Sequence, residues 1–495
     1  MTNKTLMSEF AGLADRWSGA SFLRDTKNNE FCYSQARDKV LSLADYFQSL
    51  GVKRCDRVII ISPNHILIPL SLYAINALGA IAVIINDQTL PATLKIIADE
   101  VEPALILCQK ELYEDHKLLA NCPSVSLEDL VLVKSETEIS QRNFIGCSDD
   151  PALMIYTSGS TGKPKGVVLS NDNIIFVTEK IQARLAYQAS DVIGLFLPLS
   201  FDYGLYQVFL AALSGACLFL SDASCAGPAL AMTLKNNNIS VFPGVPHLYG
   251  ILAQFLSRKK INLSTIRLCT NTGAHLAATQ IRQLNEYLPS AKIAAMYGLT
   301  ECKRVSILTP DELAQKPGSV GRALDETDVF IVDDNGKILP PGEIGELVIV
   351  GRHLALGYWR SVAETALRYR AHPCGIGRAL YSGDNFRMDA EGYLYYVGRR
   401  DEQIKRNGFR INRLEIENIA VTMNGIQNAC LLQHNNKLIL FIEFCEKPIN
   451  IVDVMKFLAA NLESYKVPDA IEVLDQFPVS NNGKINRKAI EMSLA

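Results

Sequence analysis

The sequence lacks an excess of charge of either sign. Its 495 residues include 49 basic and 52 acidic side chains, which gives a formal net charge of −3. Proteins that bind nucleic acid or anionic membranes present a clustered excess of basic residues. The composition therefore predicts no nucleic-acid partner, and any attraction for phosphate has to be local.

The 12 cysteines lack a metal-binding or disulfide pattern. None forms a Cys-x-x-Cys pair and no histidine cluster accompanies them, which argues against a zinc site and against a disulfide framework. Charged residues occur before any long apolar run, at Lys4, Glu9, Asp15 and Arg16, so no secretory signal peptide is visible. These features together predict a reducing cytoplasmic location.

An apolar run long enough to cross a bilayer is also missing. The most membrane-like stretch, residues 58–85, is interrupted by Ser-Pro-Asn-His at 62–65 and by Asn76 and Gly79. It predicts a strand, a helix and a second strand instead of a membrane span. We find no internal repeat, and 48% hydrophobic residues supply enough apolar surface for large globular cores.

Short Val/Ile/Leu runs alternate with helical patterns from residue 57 onward. Such continuous apolar strands between helices predict an α/β fold with doubly covered, mostly parallel sheets. Glycine-punctuated strands between 318 and 351 predict a small barrel-like or antiparallel region. Residues 402–495 predict a separate α+β lid. The further runs that predict strands lie at 192–197, 217–220, 240–242, 266–269 and 293–296.

The most informative motif is Thr-Ser-Gly-Ser-Thr-Gly-Lys-Pro-Lys-Gly at 157–166. Its glycines let backbone N–H groups face an anion, while its hydroxyls and lysines add donors and charge. Apolar residues 152–156 predict a strand before it, and Ser170 predicts a helix cap after it. A Walker loop would need glycine where Thr157 stands. The motif thus predicts a polyphosphate-binding loop of another kind.

Residues 156–166 resemble the phosphate-loop signature of the adenylate-forming superfamily, which includes acyl-CoA synthetases, peptide-synthetase adenylation domains and luciferases. Further motifs resemble that superfamily's signatures, in its order. They are Tyr297-Gly-Leu-Thr-Glu301, Gly342-Glu-Ile-Gly-Glu346, Leu380-Tyr-Ser-Gly-Asp384, Gly398-Arg-Arg-Asp401, Asn407-Gly-Phe-Arg-Ile411 and Asn482-Gly-Lys-Ile-Asn-Arg487. The resemblance implies an N-terminal AMP-binding domain over residues 1–400 and a small mobile lid domain over 401–495.

The resemblance implies a two-step reaction and a nucleotide site. A carboxylate attacks the α-phosphate of ATP to give acyl-AMP and pyrophosphate, and a thiol then attacks the acyl-AMP. The implied phosphate donors are Thr157, Ser158, Gly159, Ser160, Thr161, Gly162 and Lys165. Lys163 is left open as either a phosphate contact or a solvated surface charge.

The resemblance also implies roles outside the phosphate loop. Tyr297 would cover adenine, and Asp384 with Arg399 would bind the ribose. The implied catalytic residues are Glu301, which would hold Mg²⁺ as a hard oxygen ligand, Thr300 beside it on the phosphate, and Lys484, which would bridge the carboxylate and the α-phosphate. Asp401 would be the hinge of the lid, and Gly408 would let a pantetheine arm pass close to the backbone.

Counting from these motifs gives the acyl pocket. Asp202 is similar to the aspartate with which amino-acid-activating domains hold the substrate ammonium, and a buried carboxylate favours a cationic partner. Two alternatives remain: Asp202 caps a helix that begins near Gly204, or it pairs with Arg304. Arg304 could instead bind a second carboxylate. The predicted lining residues are Asp202, Tyr203, Tyr206, Val245, Thr270, Thr272, Met296, Arg304 and Val305.

The leading hypothesis is therefore a free-standing ligase that uses ATP and Mg²⁺. It would adenylate a small carboxylic acid, preferably an amino acid, and load it on the phosphopantetheine of a separate carrier protein. The alternative is an acyl-CoA ligase for a short-chain or aromatic acid, with CoA as the thiol. A catalytically inactive protein on the same fold is disfavoured because Glu301, Asp384 and Lys484 are all present.

Overall fold

A computed structural model describes the chain in segments. The described residues are 4–110, 122–133, 144–158, 164–221, 228–259, 261–399, 404–406, 409–411, 413–434, 437–445, 449–462, 466–480 and 485–492. Their strands, in chain order, are β1 Ser21–Asp25, β2 Glu30–Cys32, β3 Arg57–Ile61, β4 Ile81–Ile85, β5 Leu105–Cys108, β6 Ser124–Ser126, β7 Pro151–Ser158, β8 Pro164–Ser170, β9 Val192–Leu195, β10 Cys217–Leu220, β11 Val241–Gly244, β12 Leu268–Asn271, β13 Lys292–Tyr297, β14 Ser306–Leu308, β15 Arg322–Ala323, β16 Thr327–Val332, β17 Ile344–Gly351, β18 Gly357–Tyr358, β19 Tyr369–Ala371, β20 Arg378–Met388, β21 Leu394–Arg399, β22 Ile404–Arg406, β23 Phe409–Ile411, β24 Ile426–His434, β25 Lys437–Phe444 and β26 Ala470–Val473.

Helices connect these strands, and several begin at the residues that local chemistry favours. Ser170 accepts a hydrogen bond from the backbone N–H of Asn173, whose side chain caps Ser170 in return, so two otherwise unpaired donors are satisfied. The α-helices are Leu6–Arg16, Tyr33–Ser49, Leu67–Ala77, Pro91–Val101, Asn171–Leu185, Asp202–Ser214, Pro228–Asn236, Pro246–Arg258, Ala278–Tyr287, Pro310–Leu313, Val362–Arg368, Arg413–Thr422, Ile451–Asn461 and Arg487–Met492.

Two large sheets form the body of the fold. One has the strand order β18-β8-β7-β4-β3-β5-β6, and the other has the order β15-β14-β13-β12-β11-β9-β10-β1-β2. The central strands are parallel in both sheets, and antiparallel pairs lie toward the edges. Every residue of the helix Leu67–Ala77 is buried, as expected for a helix covered on all sides. The predicted α/β fold with mostly parallel sheets is confirmed.

A five-stranded antiparallel sheet contains β16, β17, β19, β20 and β21. It confirms the antiparallel region predicted near 318–351 and extends it to Arg399. Nearer the C-terminus, β24, β25 and β26 form a three-stranded sheet. The helices Arg413–Thr422 and Ile451–Asn461 pack on it around a separate apolar core that includes Ile416, Leu440 and Leu458.

The stretch 58–85 folds as β3, the helix Leu67–Ala77 and β4, as predicted. Among the described residues, no helix combines the length and apolarity needed to cross a bilayer. One element was missed: the phosphate loop does not lead directly into a helix, because the strand β8 intervenes. β7 and β8 pair antiparallel, with Thr157 opposite Lys165.

Candidate active site

The predicted acyl-pocket residues gather where parallel strands end. Strands β11, β12 and β13 end at Gly244, Asn271 and Tyr297, and their carboxyl ends meet at one edge of the sheet. Ligands bind in crevices at this edge of open α/β sheets. Thr272 follows β12 directly, and residues 302–305 form the turn between β13 and β14, so both segments reach this edge.

Asp202 is the first residue of the helix Asp202–Ser214, whose N-cap is Phe201, and no side chain makes a capping hydrogen bond there. The helix thus begins two residues earlier than predicted, and Asp202 does not cap it. Its Oδ2 lies 3.5 Å from Nζ of Lys303, and the Asp202 side chain is 12% exposed. The ionic partner of Asp202 is therefore Lys303, a residue that the sequence analysis did not consider.

Lys303 is almost fully enclosed by aromatic rings and by Asp202. Its side chain is 2% exposed, and its Nζ lies 4.6 Å from the ring centre of Tyr206 and 5.5 Å from that of Tyr203. Burial lowers the pKa of Lys303 to about 7, although the Asp202 carboxylate opposes this change. Cation–π contacts and one carboxylate thus replace the water that a lysine ammonium normally holds.

Arg304 lies beside this pair but is not ion-paired with Asp202. Its Nη1 donates a hydrogen bond to Oγ1 of Thr272 at 2.5 Å, and its guanidinium carbon lies 5.6 Å from the ring centre of Tyr203. The residue is 2% exposed and its Nε has no hydrogen-bond partner in the described structure. Burial lowers the pKa of the guanidinium below its usual value.

A close backbone approach positions both cations. A Cβ on Gly298 would lie 2.0 Å from the carbonyl oxygen of Lys303, so only glycine lets the turn fold back over the end of β13. Lys303 itself has a φ of 62°, a left-handed conformation that costs a non-glycine residue free energy. The turn therefore holds two buried cations in place at the expense of local strain.

Two tyrosines complete this buried cluster. The hydroxyl of Tyr203 lies 2.6 Å from both the backbone oxygen and Oγ1 of Thr270. The Tyr206 hydroxyl is buried and has no hydrogen-bond partner among the described residues. Met296 is 5% exposed. The contacts join six of the predicted lining residues to Lys303 in one buried polar cluster: Asp202, Tyr203, Tyr206, Thr270, Thr272 and Arg304. Val245, Met296 and Val305 are also buried.

The predicted ribose site is a buried carboxylate with three polar neighbours. Oη of Tyr297 donates to Oδ2 of Asp384 at 2.5 Å, and Nε of Arg399 lies 3.4 Å from Oδ1. Burial raises the pKa of Asp384 to about 6, while Tyr297, Arg399 and Arg368 oppose this rise. The Tyr297 ring packs near Phe386 and Tyr396, with centroid distances of 4.6 and 6.0 Å.

The turn before Asp384 depends on a glycine. Gly383 has a φ of 72°, and a Cβ there would lie 2.3 Å from Nη1 of Arg368. Arg368 donates to the backbone oxygen of Tyr381. A side chain at residue 383 would strain this turn and displace the guanidinium of Arg368. The glycine therefore lets a second cation, Arg368, lie close to Asp384.

Tyr358 contacts both the predicted metal-binding carboxylate, Glu301, and the predicted phosphate-binding lysine, Lys165. Oη of Tyr358 donates to Oε1 of Glu301 at 2.7 Å. Nζ of Lys165 lies 5.5 Å from the Tyr358 ring centre and forms an ion pair of 2.6 Å with Glu364. The backbone oxygen of Glu301 accepts from the N–H of Ala355 at 2.8 Å. Tyr358 thus links the strand after the phosphate loop to Glu301.

Several predicted residues lie outside the described part of the chain. They are Gly159, Ser160, Thr161, Gly162, Lys163, Asp401, Gly408 and Lys484. Thr157 and Lys165 lie on the paired strands on either side of the phosphate loop, and Thr300 lies in the turn after β13. The phosphate, hinge, thiol and catalytic-lysine assignments therefore remain predictions.

Comparison with known proteins accounts for this arrangement. Residues 10–359 match the AMP-binding enzyme family. The chain belongs to that family. Gramicidin S synthase 2 from Aneurinibacillus migulanus is 28% identical over 468 residues, which cover 92% of this chain and 10% of that protein. The chain thus spans about a tenth of the length of this relative.

Two solved structures have the same fold. VinN is 29% identical with a TM-score of 0.74 over 80% of this chain and 99% of VinN, and it has also been solved with L-aspartate. The anthranilate CoA ligase AuaEII, solved with anthranoyl-AMP, has a TM-score of 0.90 over 100% of this chain and 98% of its own, at 21% identity. At that identity, the likeness to AuaEII shows the fold alone.

Enzymes of the AMP-binding family form acyl-adenylates from ATP, and Mg²⁺ is their standard metal. The described residues contain no cluster of three or more histidine, cysteine or acidic side chains that could hold a metal without help. Mg²⁺ in nucleotide sites takes one or two carboxylates together with substrate phosphates. Glu301 is a carboxylate of the required kind, and Asp384 is a buried acceptor suited to the ribose diol of ATP. The residues of this AMP-binding enzyme therefore fit both Mg²⁺ and the nucleotide.

Sequence reasoning missed Lys303, Tyr358 and Arg368. A signal existed for Lys303, since Lys303-Arg304 places two cations next to the apolar run of β14. Tyr358 and Arg368 lie 57 and 67 positions after Glu301 in the sequence. Their contacts depend on β18 pairing with β8 and on the helix Val362–Arg368 that follows, so no local pattern indicates them.

Acidification through pH about 6 is expected to raise the KM of this AMP-binding enzyme for ATP on the order of tenfold, the scale of losing hydrogen bonds to a charged group. The cause is protonation of Asp384, whose pKa is about 6, because a protonated carboxyl accepts fewer hydrogen bonds from a ribose. The measurement is KM for ATP across the range from about pH 5 to 8 in the wild type and in Asp384→Asn.

Acid destabilisation of the fold through Asp384 would not account for this rise in the KM for ATP. The pKa of Asp384 is higher in the fold than in the unfolded chain, so its protonation stabilises the fold, and this contribution is lost as pH rises through about 6. Asp384→Asn should have a raised KM without the inflection. The same inflection in that variant would assign the titration to another group.

Proposed function

We propose that this chain is an acid–thiol ligase that adenylates a small amino acid and transfers it to the phosphopantetheine of a carrier protein. The observation that carries the amino-acid assignment is Asp202, a largely enclosed carboxylate at the carboxyl edge of the parallel strands, which does not cap its helix. An ammonium group is the natural partner of such a carboxylate. The peptide-synthetase relative and the L-aspartate complex of VinN support this proposal.

The first half-reaction would use the nucleotide site. The phosphate loop and Lys165 would hold the β- and γ-phosphates, Asp384 and Arg399 the ribose, and Tyr297 the adenine. Glu301 would hold Mg²⁺, which supplies neutralisation of the phosphate charge when bound, and Thr300 would orient a phosphate oxygen. The substrate carboxylate attacks the α-phosphorus, and the bond to the pyrophosphate oxygen breaks. Alignment and charge neutralisation, rather than an acid or base, account for the rate of such a step.

Binding of ATP has to rearrange one contact. Lys165 is held by Glu364 at 2.6 Å, so it reaches phosphate only by exchanging that carboxylate for a phosphate oxygen. Tyr358, which lies under Lys165 and bonds Glu301, would keep the lysine and the metal carboxylate on the same side of the triphosphate. Lys484 would bridge the carboxylate and the α-phosphate in this step.

The second half-reaction would follow a lid movement. Residues 401–495 would rotate about Asp401, remove Lys484 from the site and admit a pantetheine thiol past Gly408. The thiol sulfur attacks the acyl carbonyl, and AMP leaves. The proposed thiol partner is a carrier protein. The proposed location is the cytoplasm, since the described cysteines are free thiols.

An acyl-CoA ligase is the second candidate. It is favoured by the ion pair between Asp202 and Lys303, because a carboxylate that already has an internal cation does not require a substrate amine. In that case CoA would supply the thiol and the acid would be short-chain or aromatic.

The test has two stages. ATP–pyrophosphate exchange is measured over a panel of amino acids and of simple short-chain and aromatic acids. The preferred acid is then offered with CoA or with a holo-carrier protein, and the thioester is identified by mass spectrometry. Exchange with an amino acid and loading of the carrier are expected. Exchange with simple acids and acyl-CoA formation would favour the second candidate, and no exchange with any acid would refute both ligases.

A further inference from the structure

The acyl pocket contains more positive than negative side chains. Lys303 and Arg304 are each 2% exposed, and the acidic residue beside them is Asp202. Buried charges are costly unless they are paired. Asp202 pairs with only one of these two basic side chains, so the other has no anionic partner among the described residues.

The geometry identifies which cation lacks an anion. Asp202 forms its ion pair with Lys303 at 3.5 Å. Arg304 contacts the hydroxyl of Thr272 and the ring of Tyr203, both neutral groups, and its Nε has no partner in the described structure. Within the described part of the chain, no carboxylate forms an ion pair with Arg304. A guanidinium fixed at one nitrogen and open at another can accept a planar anion.

We infer that the acid activated by this enzyme carries a second acidic group, a carboxylate, which binds Arg304 while the first carboxylate is adenylated. This inference rests on the proposed function, since it names the substrate class of the same pocket. Thr272 fixes the guanidinium from one side, and the open Nε and the buried, unpartnered Tyr206 hydroxyl supply further donors within the same cluster.

Other acids would leave the pocket unbalanced. In the proposed reaction the reacting carboxylate would face the α-phosphate, so it would not neutralise Arg304. A substrate with a neutral side chain would place an apolar or amide group against the guanidinium of Arg304. The guanidinium would then lose its hydration without gaining an anionic partner. A substrate with a second carboxylate supplies the missing charge whether or not it also carries an amine. The proposal therefore covers dicarboxylic acids and amino dicarboxylic acids.

Lys303 would strengthen this preference. Its ammonium lies in the same turn as Arg304 and contacts the rings of Tyr203 and Tyr206. A second carboxylate held by Arg304 would therefore also be attracted by this ammonium group, which is 2% exposed.

The experiment compares acids that differ only in this group. Pyrophosphate exchange is measured on the full chain with L-aspartate against L-asparagine, L-glutamate against L-glutamine, and succinate against succinamate. We expect the member with two carboxylates to have the larger kcat/KM in at least one pair. Arg304→Met should lower kcat/KM for that acid by about 100-fold, as expected when a buried charge pair loses one partner, and should change the value for the amide little.

Two further variants serve as controls. Arg304→Lys retains a positive charge but lacks the planar guanidinium, and it should recover part of the kcat/KM lost in Arg304→Met. Arg352→Met makes the same substitution at an arginine that is 60% exposed and paired with Asp172, and it should leave the ratio between acid and amide unchanged. The wild-type ratios need no variant, so the inference is tested even if Arg304→Met does not fold.

The outcomes separate this inference from the proposed function. Wild-type exchange with neutral acids in preference to their acidic counterparts would overturn the inference and leave the ligase intact. Equal losses for acid and amide in Arg304→Met would also overturn it, because Arg304 would then act on the fold alone. Exchange with no acid at all would refute the proposed function, and the inference would fall with it.

Discussion

Lys484→Ala is expected to abolish acyl-AMP formation and to leave thioester formation from supplied acyl-AMP within a few-fold of the wild type. Lys484 would place a positive charge between the attacking carboxylate and the α-phosphate, where charge develops in the first step alone. Loss of a preorganised electrostatic contact of this kind costs about 100- to 1,000-fold or more in rate. After the lid rotates, Lys484 would no longer lie in the site.

The two half-reactions are measured separately, by pyrophosphate exchange and by thioester formation from synthetic acyl-AMP. Lys488→Ala is the matched control, because Lys488 is an exposed lysine four positions further along, in the helix Arg487–Met492. It should behave as the wild type in both assays. Equal falls in the two half-reactions of Lys484→Ala would show that the lysine is not specific to adenylation.

Asp202→Asn is expected to weaken adenylation of an amine-bearing acid by about 2 to 5 kcal/mol, the range found when one partner of a buried charge pair is removed. The desamino analogue of the same acid should lose much less. In the wild type the substrate ammonium would share the Asp202 carboxylate with Lys303, which lies 3.5 Å from it. The asparagine keeps the shape of the side chain and removes this charge.

Pyrophosphate exchange with both acids, on the wild type and on Asp202→Asn, gives a double-mutant cycle. Lys303→Met is the complementary variant: it removes the internal competitor and should increase the preference for the amine. Equal losses for both acids in Asp202→Asn, or a wild-type preference for the desamino acid, would favour the acyl-CoA ligase. A lower melting temperature without a change in preference would mean that Asp202 only neutralises Lys303.

The secondary structure was largely predictable because its causes are local. Apolar runs predicted β4 and β10, and a polar cap predicted the start of the helix Asn171–Leu185. The strand β8 was missed, since its first residues, Pro164 to Gly166, belong to the phosphate-loop motif. Its strand character comes from pairing with β7, which a propensity argument cannot supply.

Site residues that belong to a sequence motif could be predicted. Residues that reach the site only through tertiary contacts could not. Asp384, Tyr297 and Arg399 were predicted as one site, and the structure brings them together. The ionic partner of Asp202 was not predicted, because Lys303 reaches it through a left-handed turn that packs against Gly298. Sequence separation and residue type contain no information on that approach.

The left-handed backbone at Lys303 also bears on how the enzyme could acquire a new specificity. Asparagine and glycine adopt a φ near 62° more readily than lysine does, so exchanging Lys303 for either residue would relieve strain while removing a buried charge. The same exchange would leave Asp202, which is 12% exposed, without its cation, so the relief of strain would be set against the cost of an unpaired buried carboxylate. In the proposed function a substrate ammonium would replace the lost cation beside Asp202, so such an exchange would shift specificity toward amine-bearing acids.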